Sequence, residues 1–191
     1  MQWKINKGWQ SWFKREINGL VSTLIWLLVV TLLRWHWQWD LAWLWLGGLS
    51  GIFFINLDHL FYILAYPEQL TSLRIKDALK NRDFKGAGGL LGDTVQERPR
   101  LAFHNALFQA AFYLFCLFVL TSTENLFGVG LVMSMAWQLL REELTCLFKG
   151  QEEKLRNWLF WPIKRKISFK EQQVFVILML LLFLGLNLFL I

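Results

Sequence analysis

Five apolar runs, each close to the thickness of a bilayer, dominate this chain: Leu20 to Leu33 with Trp35, Trp37 and Trp39 continuing it, Leu41 to Ala65, Phe103 to Thr121, Leu126 to Phe148, and Gln173 to Ile191. About 20 apolar residues in a helix cross the hydrocarbon core. The rest of the composition agrees. Of 191 residues, 55% are hydrophobic and 18% charged, and Trp and Phe together number 29, whereas a soluble domain carries about 25% charged residues. A soluble globular enzyme, a disordered tail and a disulfide scaffold are thereby excluded. The expectation is an all-α membrane protein of about five transmembrane helices, over roughly 20–39, 41–65, 103–121, 126–148 and 173–191, as a single domain over 19–191. A basic stretch precedes the first run, but no small-residue cleavage site follows it, so a retained signal anchor is expected.

Lys and Arg alternate with the runs. Eighteen of them fall in the N-terminal arm, the loop 66–102 and the loop after Phe148, while Arg34 stands alone in the first loop and the segment around Ser122 to Asn125 has none. Cytoplasmic loops carry the basic residues, so the N-terminus is expected in the cytoplasm and the C-terminus outside, in a multi-pass protein of the cell membrane, bacterial inner membrane in type. The net charge of +6 then points to anionic lipid of the inner leaflet as partner, with homo-oligomer formation open. Dispersal of these charges along segment flanks argues against nucleic acid.

The arm 1–18 is itself patterned. Ile5, Trp9, Trp12, Phe13, Ile17 and Leu20 share one helical face opposite Lys4, Lys7, Lys14 and Arg15, which predicts an amphipathic helix lying in the interface. Leu155 to Trp161, stopped by Pro162, reads the same way. Within 66–102, a short surface helix is expected to be capped at Thr71 and to end near Gly86, Gly88 and Gly89. This glycine cluster has the wrong spacing for a phosphate loop and carries Asp93 where such a loop needs Lys, so it is expected to be a flexible turn. Cys116 and Cys146 lie at different depths and are expected to be unpaired thiols.

Ionisable residues are costly inside spans, and here they crowd the ends that the charge pattern assigns to the cytoplasm. Asn56, Asp58, His59 and Tyr62 close the second run, His104, Asn105 and Gln109 open the third, and Gln138, Arg141, Glu142 and Glu143 close the fourth. Gly47, Gly51, Asp58 and Tyr62 share a helical face, so the residues that let helices approach closely point the same way as the acid. Ser134, Gln138, Arg141, Glu142 and Thr145 form a second stripe, which makes Glu142 the inward acid and directs Glu143 to water. Asp58, His59 and His104 supply nitrogen and oxygen donors suited to zinc or another divalent ion, which could activate water against an ester or phosphoester. The other reading is a hydrogen-bonded structural cluster in which an acid pairs with Arg141.

Asn56-Leu-Asp58-His59 at the end of a Gly-rich span, followed by Arg100-Leu-Ala-Phe-His104-Asn105, resembles the YdjM-like, LexA-regulated, membrane-bound metal-dependent hydrolase family over roughly Trp45 to Lys149. Asp58, His59, Arg100 and His104 match that family's motifs; Asn56, Trp137 and Arg141 stand where it has an acid, a His and an acid. The resemblance implies metal ligation by Asp58, His59 and His104; the enzyme reading adds Glu142, from the helical stripe, as ligand or general base and Arg100 as a phosphate clamp. The alternative is a non-catalytic scaffold that binds lipid or protein. A transporter ranks third, since no polar path continues toward the outer face.

Overall fold

The computed structural model describes residues 2–34, 38–94, 97–98 and 101–190, with the side chains of 2–9, 11 and 12 left aside. Eight helices and no strand occur among the described residues: α1 Gln2–Arg34, α2 Leu41–Ala65, α3 Leu70–Lys80, α4 Phe84–Asp93, α5 Ala106–Ser122, α6 Leu126–Phe148, α7 Glu152–Leu159 and α8 Phe169–Asn187. The chain is an all-α membrane protein. Phe13–Arg34, Leu41–Ala65 and Phe169–Asn187 are long and apolar enough to cross a bilayer, and Ala106–Ser122 is a shorter apolar helix. Large apolar side chains such as Leu28, Phe53, Leu64, Leu114, Phe118 and Leu181 point outward, as a lipid-facing surface requires.

Each of the five apolar runs contains a helix; α2 and α6 coincide with their runs, and the other three have shifted ends. The third starts at Ala106, because the Asn105 side chain accepts the Phe108 N–H at 2.8 Å and caps it there. The fifth starts at Phe169 behind a capping box of Ser168 and Glu171. In the first, the amphipathic arm and the apolar run form one unbroken helix of 33 residues, about 50 Å long, with no break near residue 18. Nothing in the sequence from Asn18 to Leu20 interrupts a helix, so the change of composition is a change of environment along one rod. Trp35 and Trp37 lie outside the described residues, and so do the side chains of Ile5, Trp9 and Trp12.

Helix α6 is the hub. It packs on α2, α1, α5, α7 and α8, and its seam with α2 is made by glycine. A Cβ added to Gly47 would stand 2.0 Å from the Phe127 carbonyl oxygen, one on Gly51 2.6 Å from that of Leu131, and one on Gly130 2.2 Å from that of Leu44. The backbones therefore meet with no side chain between them. Trp26 donates to Asn187 at 2.8 Å, joining α1 to α8, and Trp45 donates to Thr31 at 3.0 Å, joining α2 to α1. Cys116 and Cys146 are both buried and unpaired.

Two expectations for the long loop need correction. Helix α3 begins at Leu70 with Gln69 as N-cap; Thr71 lies inside it, and its hydroxyl donates to Glu97. The glycine cluster is helical rather than a flexible turn. Asp83 caps α4 by accepting the Gly86 N–H at 2.8 Å, and Gly86, Ala87, Gly88 and Gly89 are buried in a helix that packs along α1. Glycine disfavours a helix by about 1 kcal/mol per residue, but here it permits close packing, and tertiary contact prevails.

Candidate functional site

The second half of α2 brings Asp58 to the segment 101–105 that precedes α5. Its carboxylate accepts the backbone N–H of Ala102 at 2.9 Å and of Phe103 at 2.8 Å, and Oδ2 lies 2.8 Å from His104 Nδ1. The other ring nitrogen, Nε2, stands 3.4 Å from Oε2 of Glu142 on α6. One buried imidazole thus spans two carboxylates from different helices, with Asp58 only 1% exposed. The backbone donors fix Asp58, Asp58 fixes the ring, and the ring faces Glu142. Trp158 of α7 stacks on His104 with centroids 4.6 Å apart, and Trp161 donates to the Leu101 carbonyl at 3.1 Å, so α7 and the turn after it cover this side.

Glu142 opens outward. Its side chain keeps 18% exposure and lines a groove of 770 Å³ between α1, α6 and α7. Arg141 Nη2 lies 3.5 Å from Glu142 Oε1, and its Nε donates to Gln138 at 3.0 Å. Gln138 in turn donates to the Gly19 carbonyl at 2.9 Å and to Thr23 Oγ1 at 2.6 Å. The polar stripe of α6 is therefore shared between His104 and α1.

The adjacent acid is a correction. Glu143 does not reach water: it is 2% exposed, neither oxygen meets hydrogen-bond geometry, and Gln109 of α5 stands beside it. One residue on from Glu142, the helix has turned by about 100°, which carries Glu143 from the groove into the bundle beside α5.

His59 is buried, its ring centroid 6.3 Å from that of His104, and its Nδ1 has no hydrogen-bond partner. Among the described residues, no group of three or more His, Cys, Asp and Glu converges as the ligands of one ion would. Asp58 and both nitrogens of His104 are already engaged, so the donor set does not fit a resident divalent ion unless His104 gives up a carboxylate. Arg100, the expected phosphate clamp, lies outside the described residues.

Several residues here lay beyond motif reading. Glu16 on α1 accepts from Asn56 Nδ2 at 2.6 Å, supplying an acid beside the position where Asn56 stands. Arg98 is fully buried and donates to the carbonyls of Leu91 and Thr94 at the end of α4; burial first, and then the charge of Arg15, lowers its pKa to about 10. Trp158 could have been noticed as the aromatic on the inward face of an amphipathic segment. No family model, curated protein or solved structure matches the chain.

Proposed function

We propose that this is a multi-pass hydrolase of the inner membrane, acting on an ester or phosphoester at the cytoplasmic face, where Asp58, His104 and Glu142 form an acid–base relay. The observation that supports it most is the pair of contacts at His104, with a backbone-anchored acid on one nitrogen and a groove-facing acid on the other. In this reading Glu142, backed by His104, takes a proton from water. The water oxygen bonds to the acyl carbon or phosphorus, the bond to the alcohol oxygen breaks, and the proton passes to that leaving oxygen. Asp58 is a positioning residue, since it holds the ring and touches no reacting atom. The resemblance of the sequence at Asp58, His59 and His104 to the YdjM-like family supports hydrolysis as the reaction class.

Hydrolysis of a p-nitrophenyl ester and of bis-p-nitrophenyl phosphate by purified protein tests the proposal. Glu142→Gln and His104→Ala are expected to lower the rate about 100-fold or more, with Glu143→Gln close to the parent. Parental protein inactive on both esters would favour the scaffold reading. A second reading, resting on the orphaned Nδ1 of buried His59, has a divalent ion, zinc first, held by Asp58, His59 and His104 after His104 releases one of its carboxylates. Elemental analysis decides it: one ion per chain that is lost in His59→Ala supports it, and none refutes it.

A further inference from the structure

The groove that Glu142 opens into is strongly basic. Lys14 and Arg15 from α1, Arg141 and Lys149 from the end of α6, and Lys154 from α7 line it, with Glu142 as the acid among them. Two acids, Glu16 and Glu142, stand against these five cations, and neither pairs with Lys14, Lys149 or Lys154 in an ion pair. Arg141 and Glu142 are 3.5 Å apart, Arg15 lies 3.3 Å from Glu16, and Lys154 sits 5.3 Å above the Trp158 ring. Arg15 Nε is buried with no hydrogen-bond partner, a donor withdrawn from water and left unmatched, which is unfavourable unless an acceptor arrives.

The wall of the groove changes character along α1. Past Asn18 it is lined by Val21 and Ile25, both exposed and on the part of α1 that is long and apolar enough to cross a membrane. Cationic at one end and apolar where it meets the span, the groove is complementary to a molecule with an anionic head and hydrocarbon tails.

We propose that the groove between α1, α6 and α7 binds an anionic glycerophospholipid, with its phosphate on Arg15, Arg141, Lys149 and Lys154 and its acyl chains along Val21 and Ile25. Resting on the hydrolase reading, this makes the lipid the substrate class, because the groove holds the headgroup end of the molecule beside Glu142. A soluble phosphoester would use the cations and leave the apolar wall bare.

Native mass spectrometry of protein in mild detergent, supplied with dioleoyl phosphatidylglycerol, dioleoyl phosphatidylcholine or inorganic phosphate, tests the site without relying on turnover. Phosphatidylglycerol is expected to be retained about 10-fold more than phosphatidylcholine, and the triple change Arg141→Gln, Lys149→Gln, Lys154→Gln to abolish that preference, since each basic residue at an anionic surface contributes several-fold. Phosphate in tenfold excess is expected to displace little of the lipid. The change Lys164→Gln, Arg165→Gln, Lys166→Gln, in a basic cluster that does not line this groove, is expected to leave the preference intact. Equal retention of the two lipids, full displacement by phosphate, or loss through the second triple alone would overturn the proposal. Selective retention without ester cleavage would refute the hydrolase reading and leave the groove standing; cleavage of the chromogenic esters without selective retention would do the reverse.

Discussion

Adding one methyl group to the seam between α2 and α6 measures how closely the two backbones are held. An ordinary Cβ contact begins near 3.4 Å, and the added atom would find backbone oxygen at 2.0 Å for Gly47, 2.2 Å for Gly130 and 2.6 Å for Gly51. The helices would have to part by about 1.4, 1.2 and 0.8 Å respectively. Backbone oxygen in a helix cannot turn aside as a side chain can, so the whole helix must move. Overpacking of this kind costs about 1 to 3 kcal/mol, offset by up to about 1 kcal/mol of helix propensity returned by alanine. Melting in mild detergent is therefore expected to fall furthest for Gly47→Ala, less for Gly130→Ala and least for Gly51→Ala, with Gly51→Leu worse than any of them. Gly185 in α8 has nothing within 4 Å of an added Cβ, so Gly185→Ala is expected to be neutral or stabilising by up to about 1 kcal/mol. If Gly47→Ala melted at or above the parent, alongside Gly185→Ala, the close seam would be wrong, and with it the framework that sets Glu142 against His104.

Asp58→Ala should leave the Ala102 and Phe103 N–H groups and the His104 ring without their acceptor, costing about 3 kcal/mol or more, while Asp58→Asn loses less; equal melting of both with the parent would refute the anchoring role. Glu143→Gln is expected to raise the melting temperature in detergent, because it removes a buried carboxylate that lacks hydrogen bonds and keeps its shape; a lower value would show that the charge is matched. Lys80→Cys and Arg165→Cys are expected to resist a membrane-impermeant thiol reagent in intact cells while Thr123→Cys reacts, and external labelling of Lys80→Cys would reverse the orientation.

Whatever depended on local periodicity was legible in the sequence. The apolar runs identify the helices of the bundle, and the shared face of Gly47, Gly51 and Asp58 identifies the seam, because a glycine stripe is a property of one helix. The convergence of Asp58, His104 and Glu142 could be anticipated because the alternation of Lys and Arg puts three polar helix ends at one level. What escaped was set by neighbours. Glu142 and Glu143 differ by about 100° around α6, and only the presence of α5 with Gln109 on the far side decides that the second acid is buried. Glu16 gives no sign in sequence that it reaches α2, where it accepts from Asn56, and neither does Arg98 show that it turns its guanidinium into the end of α4. The glycine-rich α4 was illegible for a related reason: its propensity is poor and its stabilisation comes from α1.

Helices entering a bilayer one at a time carry their polar groups with them before any partner is present. Asp58 would arrive unmatched and Glu142 with only its neighbour Arg141 beside it, and an unmatched carboxylate near the membrane is costly. Asp58 is matched once the segment before α5 reaches α2, with His104 46 residues away in the chain, and Glu142 meets the same ring only when α6 has docked as well. The same histidine therefore ties three separate pieces of the chain together: it meets Asp58 of α2 on one nitrogen and Glu142 of α6 on the other, so a chain with α6 misplaced leaves its Nε2 facing no carboxylate.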